Sequence, residues 1–214
     1  MESIVNALDY LVEKYNLDIS KKSPIEIPNI SRDILAHWFK DLGFTKGAEI
    51  GVYEASYSMT LLRANSKLKL YCIDPWEPLP EYGDELRMEI AYQTALKSLQ
   101  DTHSVIIRKY SKDAVTDFEP GSLDFVYIDG DHSLHGASFD IENWSQIVRP
   151  GGIVSGHDFE DYWSRYAKNY QVKEAVLEYV NGHNIDPWFI FDGRPDYVKG
   201  KTKRIPKSWM WIKE

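Results

Sequence analysis

LDFVYIDGDHSLHGASFDIENWSQIVRPGGIVSGHDF, residues Leu123 to Phe159, decides the fold. A hydrophobic run, Phe125 to Ile128, ends abruptly in Asp129, Asp131 and His132. An amphipathic segment, about Ser138 to Ile147, follows, and the Pro150-Gly151-Gly152 turn feeds a second run, Ile153 to Ser155, which ends in His157-Asp158. Strand, helix and strand in that order predict parallel pairing. Carboxylates and imidazoles at the carboxyl ends of two buried strands stand where open α/β sheets keep their chemistry.

Outward from this stretch the same alternation continues. Strands are expected at Ala48 to Val52, Leu68 to Ile73 and Val105 to Arg108, with helices at Arg32 to Leu42, Ser58 to Asn65, Asp84 to Leu99 and near Lys112 to Thr116. Gln171 to Val180 is a further helix, and two late strands, Trp188 to Phe191 and Trp209 to Ile212, suggest an antiparallel pair on a mostly parallel sheet. Ile4, Val5, Leu8, Leu11 and Val12 have helical spacing. That N-terminal helix would pack on its own domain or form the surface of a homodimer. Asn16 to Asn29, broken by Pro24 and Pro28, reads as a connector. Residues 1–30 are therefore taken as a helical extension and 31–214 as one catalytic domain.

With 214 residues, 43% hydrophobic and 27% charged, the chain has the composition of a globular domain with a sizeable core. A net charge of −8 argues against nucleic acid as the main partner, since phosphate binding draws on clustered Lys and Arg. The single Cys72 excludes an intrachain disulfide and a cysteine-based zinc site. No signal peptide or membrane span is read, so a cytoplasmic protein acting on a small molecule is the expectation.

Glu49-Ile50-Gly51-Val52-Tyr53-Glu54-Ala55 occupies the first strand-to-helix turn. A glycine there lets a ligand approach the backbone, and the helix that follows offers free N–H groups to an anion. Asp74, at the end of the second strand and roughly 20 residues on, is placed to accept hydrogen bonds from ribose hydroxyls.

Together with Asp129 to His132, Trp144 and Arg149 to Asp158, this turn resembles the class I S-adenosylmethionine-dependent methyltransferases. The resemblance covers about Arg32 to Ile212. It implies a Rossmann-like fold with a mostly parallel seven-stranded sheet, a final antiparallel strand and helices on both faces. It implies S-adenosylmethionine held by Glu49, Gly51, Tyr53, Asp74 and Asp129, with Ser111 and Asp113 at the adenine. Ala55 stands where the family usually has a further glycine. A nicotinamide-dependent oxidoreductase shares the acidic second-strand end, but the later glycines and a Tyr–Lys pair for hydride chemistry are missing. A non-catalytic nucleotide-binding domain is the third reading.

The group it resembles most is the small O-methyltransferases acting on catechols, caffeoyl-coenzyme A and macrolide sugars. By that resemblance His132 is the base, Asp129 is catalytic, and Asp129, His157 and Asp158 hold Mg²⁺ or Mn²⁺. His157 replaces a carboxylate of the metal-dependent enzymes, and imidazole suits later transition metals better than Mg²⁺. The acceptor expected is a sugar or other polyol. Asp131 is read as a turn cap, His135 as solvent-facing, and Asp140 with Glu142 as a solvated helix face. His37, His103 and His183 receive no role. Trp76 with Glu77 to Gly83 could form a lid. Lys199, Lys201, Lys203, Arg204 and Lys207 form the one concentrated basic run, read as a solvated loop.

Overall fold

The structure is a computed structural model, and it describes residues 6–78, 83–160, 170–191, 196–198, 201–203 and 206–214. Helix α1 (Ala7–Tyr15) starts where the Asn6 side chain accepts hydrogen bonds from the amides of Leu8 (2.8 Å) and Asp9 (3.1 Å). After β1 (Ile25–Ile27) and α2 (Arg32–Asp41), strands and helices alternate. They are β2 (Lys46–Ile50), α3 (Ser56–Ala64), β3 (Lys69–Ile73), α4 (Glu85–Leu99), β4 (Ser104–Ile107), α5 (Ser111–Ala114), β5 (Leu123–Ile128), α6 (Leu134–Ile147) and β6 (Val148–Gly156). Then come α7 (Val172–Gly182), β7 (Trp188–Phe191), the hairpin strands β8 (Asp196–Val198) and β9 (Lys201–Lys203), and β10 (Ser208–Ile212).

The main sheet runs β1-β7-β10-β6-β5-β2-β3-β4. Strand β10 is antiparallel to both β6 and β7, and every other pairing in the sheet is parallel. The Rossmann-like architecture and the late antiparallel strand are as expected. The sheet has eight strands rather than seven. Ile25–Ile27, in the expected connector, pairs with β7 and alternates buried, exposed, buried. Proline is tolerated at the ends of an edge strand, so Pro24 and Pro28 delimit the strand that they were read as excluding.

Strict alternation along β5 divides the core. Phe125 and Tyr127 face the cluster that includes Leu11, Leu35, Trp38, Phe39, Leu61 and Ala91, so α1 to α4 cover that face. Val126 and Ile128 face Ala137, Ile141, Trp144, Val172 and Val176, so α6 and α7 cover the other. Helix α1 packs on its own domain, where Trp38 Nε1 donates to Tyr15 Oη at 2.9 Å. Cys72 is fully buried, and burial pushes its thiol pKa up. The basic connection carries the β8–β9 hairpin, with Lys199 and Arg204 outside the described residues, while Lys207 pairs with Glu26 at 2.9 Å. Among the described residues no helix is long and apolar enough to cross a membrane.

Phe125 stacks on Phe39 with centroids 3.8 Å apart, and its ring fills the space above Gly47. A Cβ at Gly47 would overlap that ring. Gly47→Ala is expected to lower stability by about 1–3 kcal/mol, the usual cost of overpacking a filled core. Urea unfolding checks this as a lower midpoint at unchanged slope.

Candidate active site

Parallel register aligns the ends of four strands. Ile50 pairs with Ile73 and with Ile128, and Ile128 pairs with Gly156. The next residues, Gly51, Asp74, Asp129 and His157, therefore leave the sheet side by side. The chain proceeds outward from β2 to β3 and β4 on one side, and from β5 to β6 on the other. The crevice between β2 and β5 is thus the topological switch point where such sheets bind ligands.

Gly51 has φ of +88°, and a Cβ there would overlap the carbonyl of Asp129, so only glycine lets the two strand ends meet. Asp74 accepts from the amides of Val52 (3.0 Å) and Tyr53 (2.9 Å) with one oxygen and of Trp76 (2.7 Å) with the other. Burial raises its pKa against those three bonds. A carboxylate has about four lone-pair sites, so one remains for a ligand hydroxyl. Trp76 is buried, and its Nε1 donates to the Tyr53 carbonyl at 2.8 Å, so this aromatic clamps the turn; residues 79–82 of the expected lid lie outside the described residues.

Glu49 is in β2, two residues before Gly51. It is 2% exposed, accepts a hydrogen bond from Ser58 Oγ, and burial pushes its pKa up to about 8. Tyr53 Oη accepts from Arg87 Nε at 3.1 Å. Ser111 is tied down on two sides, donating to Asp140 and accepting from Trp144 Nε1 at 2.7 Å, whereas Asp113 is exposed. Asp140 is 3% exposed, and burial pushes its carboxyl up to about 7. The solvated reading of Asp140 is thus corrected. It lies four residues before the buried Trp144 and three after the buried Ala137, the spacing of one helix face. Glu142 and His135 are exposed as read, and Asp131 Oδ1 caps its turn by accepting from Ser133 N at 2.9 Å.

At the other end, His132 Nε2 lies 3.1 Å from Asp158 Oδ2 and 3.4 Å from Asp129 Oδ1. His157 Nδ1 lies 3.1 Å from the same Asp158 oxygen. Burial disfavours the His132 imidazolium, but hydrogen bonds to Asp129 and Asp158 outweigh it and push the pKa up to about 9. Burial likewise disfavours the Asp158 carboxylate, yet the bonds from His132 and His157 hold its carboxyl far below the usual range. Asp158 has φ of +59°, a conformation tolerated better by Asp and Asn than by other side chains. The Asp129, His132 and Asp158 ligand atoms all lie within 4.8 Å of one another, a geometry that can hold a metal ion. The structure thus groups His132, not His157, with the two aspartates.

Three residues of the site were not singled out. Arg32 Nη1 lies 3.0 Å from Asp129 Oδ2, bringing a second cation to the cluster. Tyr170 stacks on His132 with centroids 4.5 Å apart, and the amide of Gln171 donates to the His132 carbonyl at 2.8 Å. Tyr127 is buried in β5 beside Arg32, two residues before Asp129 on the same face. Only Arg32 left a trace in the sequence. A cation in the first turn of a helix opposes the macrodipole, so something else must hold it there.

This crevice, with a glycine turn and a carboxylate at one end and an Asp–His–Asp group at the other, lies where open α/β sheets bind their ligands. A methyltransferase-domain family matches residues 48–159, and the chain belongs to it. That membership removes the oxidoreductase reading. An uncharacterised protein of Acanthamoeba polyphaga mimivirus is 31% identical over 138 residues, 62% of this chain and 58% of the relative. The chain spans 14% and 58% of the lengths of the two curated relatives it matches. Among solved structures, the chain is similar in fold to an O-methyltransferase from Bacillus cereus bound to SAH (TM-score 0.60, 14% identity, 100% of this chain and 93% of that one). It is also similar to spermidine synthase from Thermotoga maritima (TM-score 0.55, 14% identity, 80% and 54%). Likeness at this distance shows the fold, and the site must carry the chemistry.

The pKa of His132 makes a measurable prediction. Because the folded-state value lies above the ordinary 6.5, stability from the imidazolium is complete below about pH 6.5 and is lost as pH rises through about 9. The loss amounts to up to about 3 kcal/mol. NMR titration of the wild type should place the His132 imidazole near 9, and Asp158→Asn should lower it by a unit or more while keeping the left-handed backbone.

Proposed function

We propose that this chain transfers a methyl group from S-adenosylmethionine to an oxygen of a small molecule, with a sugar or other polyol as the acceptor class. The observation that carries the reading is the His132–Asp158–Asp129 group opening at the same sheet edge as the glycine turn and Asp74. In this reading residues 31–214 form the catalytic domain, residues 1–30 are an extension, and a cytoplasmic setting suits the lone buried Cys72.

The residues present fit the cofactor. Asp74 keeps a lone-pair site for a ribose hydroxyl. Ala55 supplies no side-chain cap to α3, leaving its first N–H groups for a carboxylate. Gly51 keeps the crevice floor free of a side chain, Tyr53 continues the turn, and Ser111 borders the far side. When bound, S-adenosylmethionine supplies an electrophilic methyl group on a sulfonium, so the protein's task is positioning and activation of the nucleophile.

Activation falls to His132. In its neutral form His132 takes the proton of an acceptor hydroxyl that replaces one of the two carboxylates at Nε2, and the carboxylate that stays in contact steadies the imidazolium that results. The two carboxylates that push its pKa to about 9 leave it protonated at neutral pH, so activity should rise with pH. Asp129, His132 and Asp158 also fit a divalent ion, and a mixed oxygen and nitrogen set suits Mn²⁺ or Zn²⁺ better than Mg²⁺. Such an ion would stabilise an alkoxide in place of base catalysis by His132, whose nitrogen it would occupy, with His157 orienting Asp158.

Calorimetry of the purified protein should show S-adenosylmethionine binding and no NADH binding; absence of the first would end the methyltransferase reading. With labelled methyl donor and a panel of sugars and polyols, transfer should increase from pH 7 to pH 9. His132→Gln should reduce transfer roughly 10²- to 10⁴-fold, the usual contribution of a general base, while leaving cofactor affinity nearly unchanged.

A further inference from the structure

Arg32 is a cation at the disfavoured end of a helix. It is the first residue of α2, where the macrodipole opposes positive charge, and Ser31 makes no side-chain cap bond. Its position is nevertheless built on several sides. Nη1 meets Asp129 Oδ2 at 3.0 Å, the guanidinium carbon lies 4.9 Å over the Tyr57 ring, and Tyr57 Oη donates to the Arg32 carbonyl at 2.9 Å. Tyr57 in turn packs on Tyr127 with centroids 4.3 Å apart. The buried Tyr127 hydroxyl, beside Arg32, has no hydrogen bond of good geometry among the described residues. The Arg32 side chain is still 34% exposed. It is braced by Asp129 and Tyr57 yet not sealed from solvent.

Asp129 is the point of competition. One of its oxygens faces His132, and Arg32 holds the other. A divalent ion in the Asp129–His132–Asp158 group would bind with a guanidinium on the shared carboxylate, or would have to displace it. Either course weakens binding.

We propose that Arg32 is a resident cation of this site: it occupies the side of Asp129 that a divalent ion would share, and so sets the affinity for such ions low. A guanidinium beside the acceptor position gives positive charge to a developing alkoxide where a metal would otherwise give it. The proposal rests on reading the Asp129 cluster as the acceptor site, but its test needs no methyl transfer.

The test is Mn²⁺ titration of the metal-stripped full chain, followed by the EPR signal of free Mn²⁺, for wild type, Arg32→Met, Arg32→Lys and the double variant Arg32→Met/Asp129→Asn. S-Adenosylmethionine calorimetry on the same preparations reports whether the crevice is intact. Arg32→Met should bind Mn²⁺ about tenfold more tightly or better, Arg32→Lys should stay near wild type, and Asp129→Asn should cancel the gain. A merely structural role for Arg32 predicts the opposite, since a loosened site binds metal less well. Unchanged or weaker Mn²⁺ binding by Arg32→Met overturns the proposal, as does equal tightening by Arg32→Lys. If Arg32→Met does not fold, Arg32→Gln and Tyr57→Phe read the same quantity, and both must tighten Mn²⁺ binding for the proposal to stand. Loss of cofactor binding in every preparation, wild type included, would sink the methyltransferase reading alone and leave the Mn²⁺ comparison to be judged separately.

Discussion

The meeting of two strand ends at Gly51 and Asp129 underlies everything else in the site. Backbone hydrogen bonds tie them to the sheet, Asp129 N to Ile50 O at 2.8 Å and Gly51 N to Ile73 O at 2.9 Å. A side chain at residue 51 would drive the strands apart at the point where the crevice begins. Because β5 is paired on its other side with β6, that displacement would reach His157 and Asp158 as well. One missing Cβ therefore lets the glycine turn and an acid–imidazole group share a single edge.

Charge balance then decides what that edge can do. Asp129 and Asp158 bring two negative charges into a half-buried space, and Arg32 and protonated His132 bring two positive ones. Desolvation makes any unpaired member of such a group expensive. Removing one cation without its carboxylate, or the reverse, leaves a partly buried charge without its partner. The four groups thus form a neutral set.

Much of this was legible in the chain. Runs ending in Asp74, Asp129 and His157-Asp158 announced the strand ends, because in an alternating α/β pattern a short apolar run halted by charged residues marks a buried strand reaching the sheet edge. What the sequence could not show is partner choice across the crevice. His132 and His157 both neighbour aspartates in sequence, and only the fold puts His132 between two of them. Arg32 lies 97 positions from Asp129, a separation at which no local pattern speaks. Asp140 could have been read correctly, since helical spacing places it with Trp144, but a carboxylate was assumed to be wet. The strand at Ile25–Ile27 failed for a different reason: prolines were taken as breakers when at a sheet edge they serve as boundaries.

That edge strand has a consequence for how the molecule behaves in company. An open sheet edge is a template for another chain, and proteins protect it by keeping the strand short or placing proline there. Here β1 spans three residues between Pro24 and Pro28, and neither proline has an N–H to offer an incoming strand. Lys207 is held across Glu26 of the same strand, adding charge where a flat hydrophobic surface would invite stacking. The short strand, its flanking prolines and this ion pair disfavour strand addition at the sheet margin beside β7.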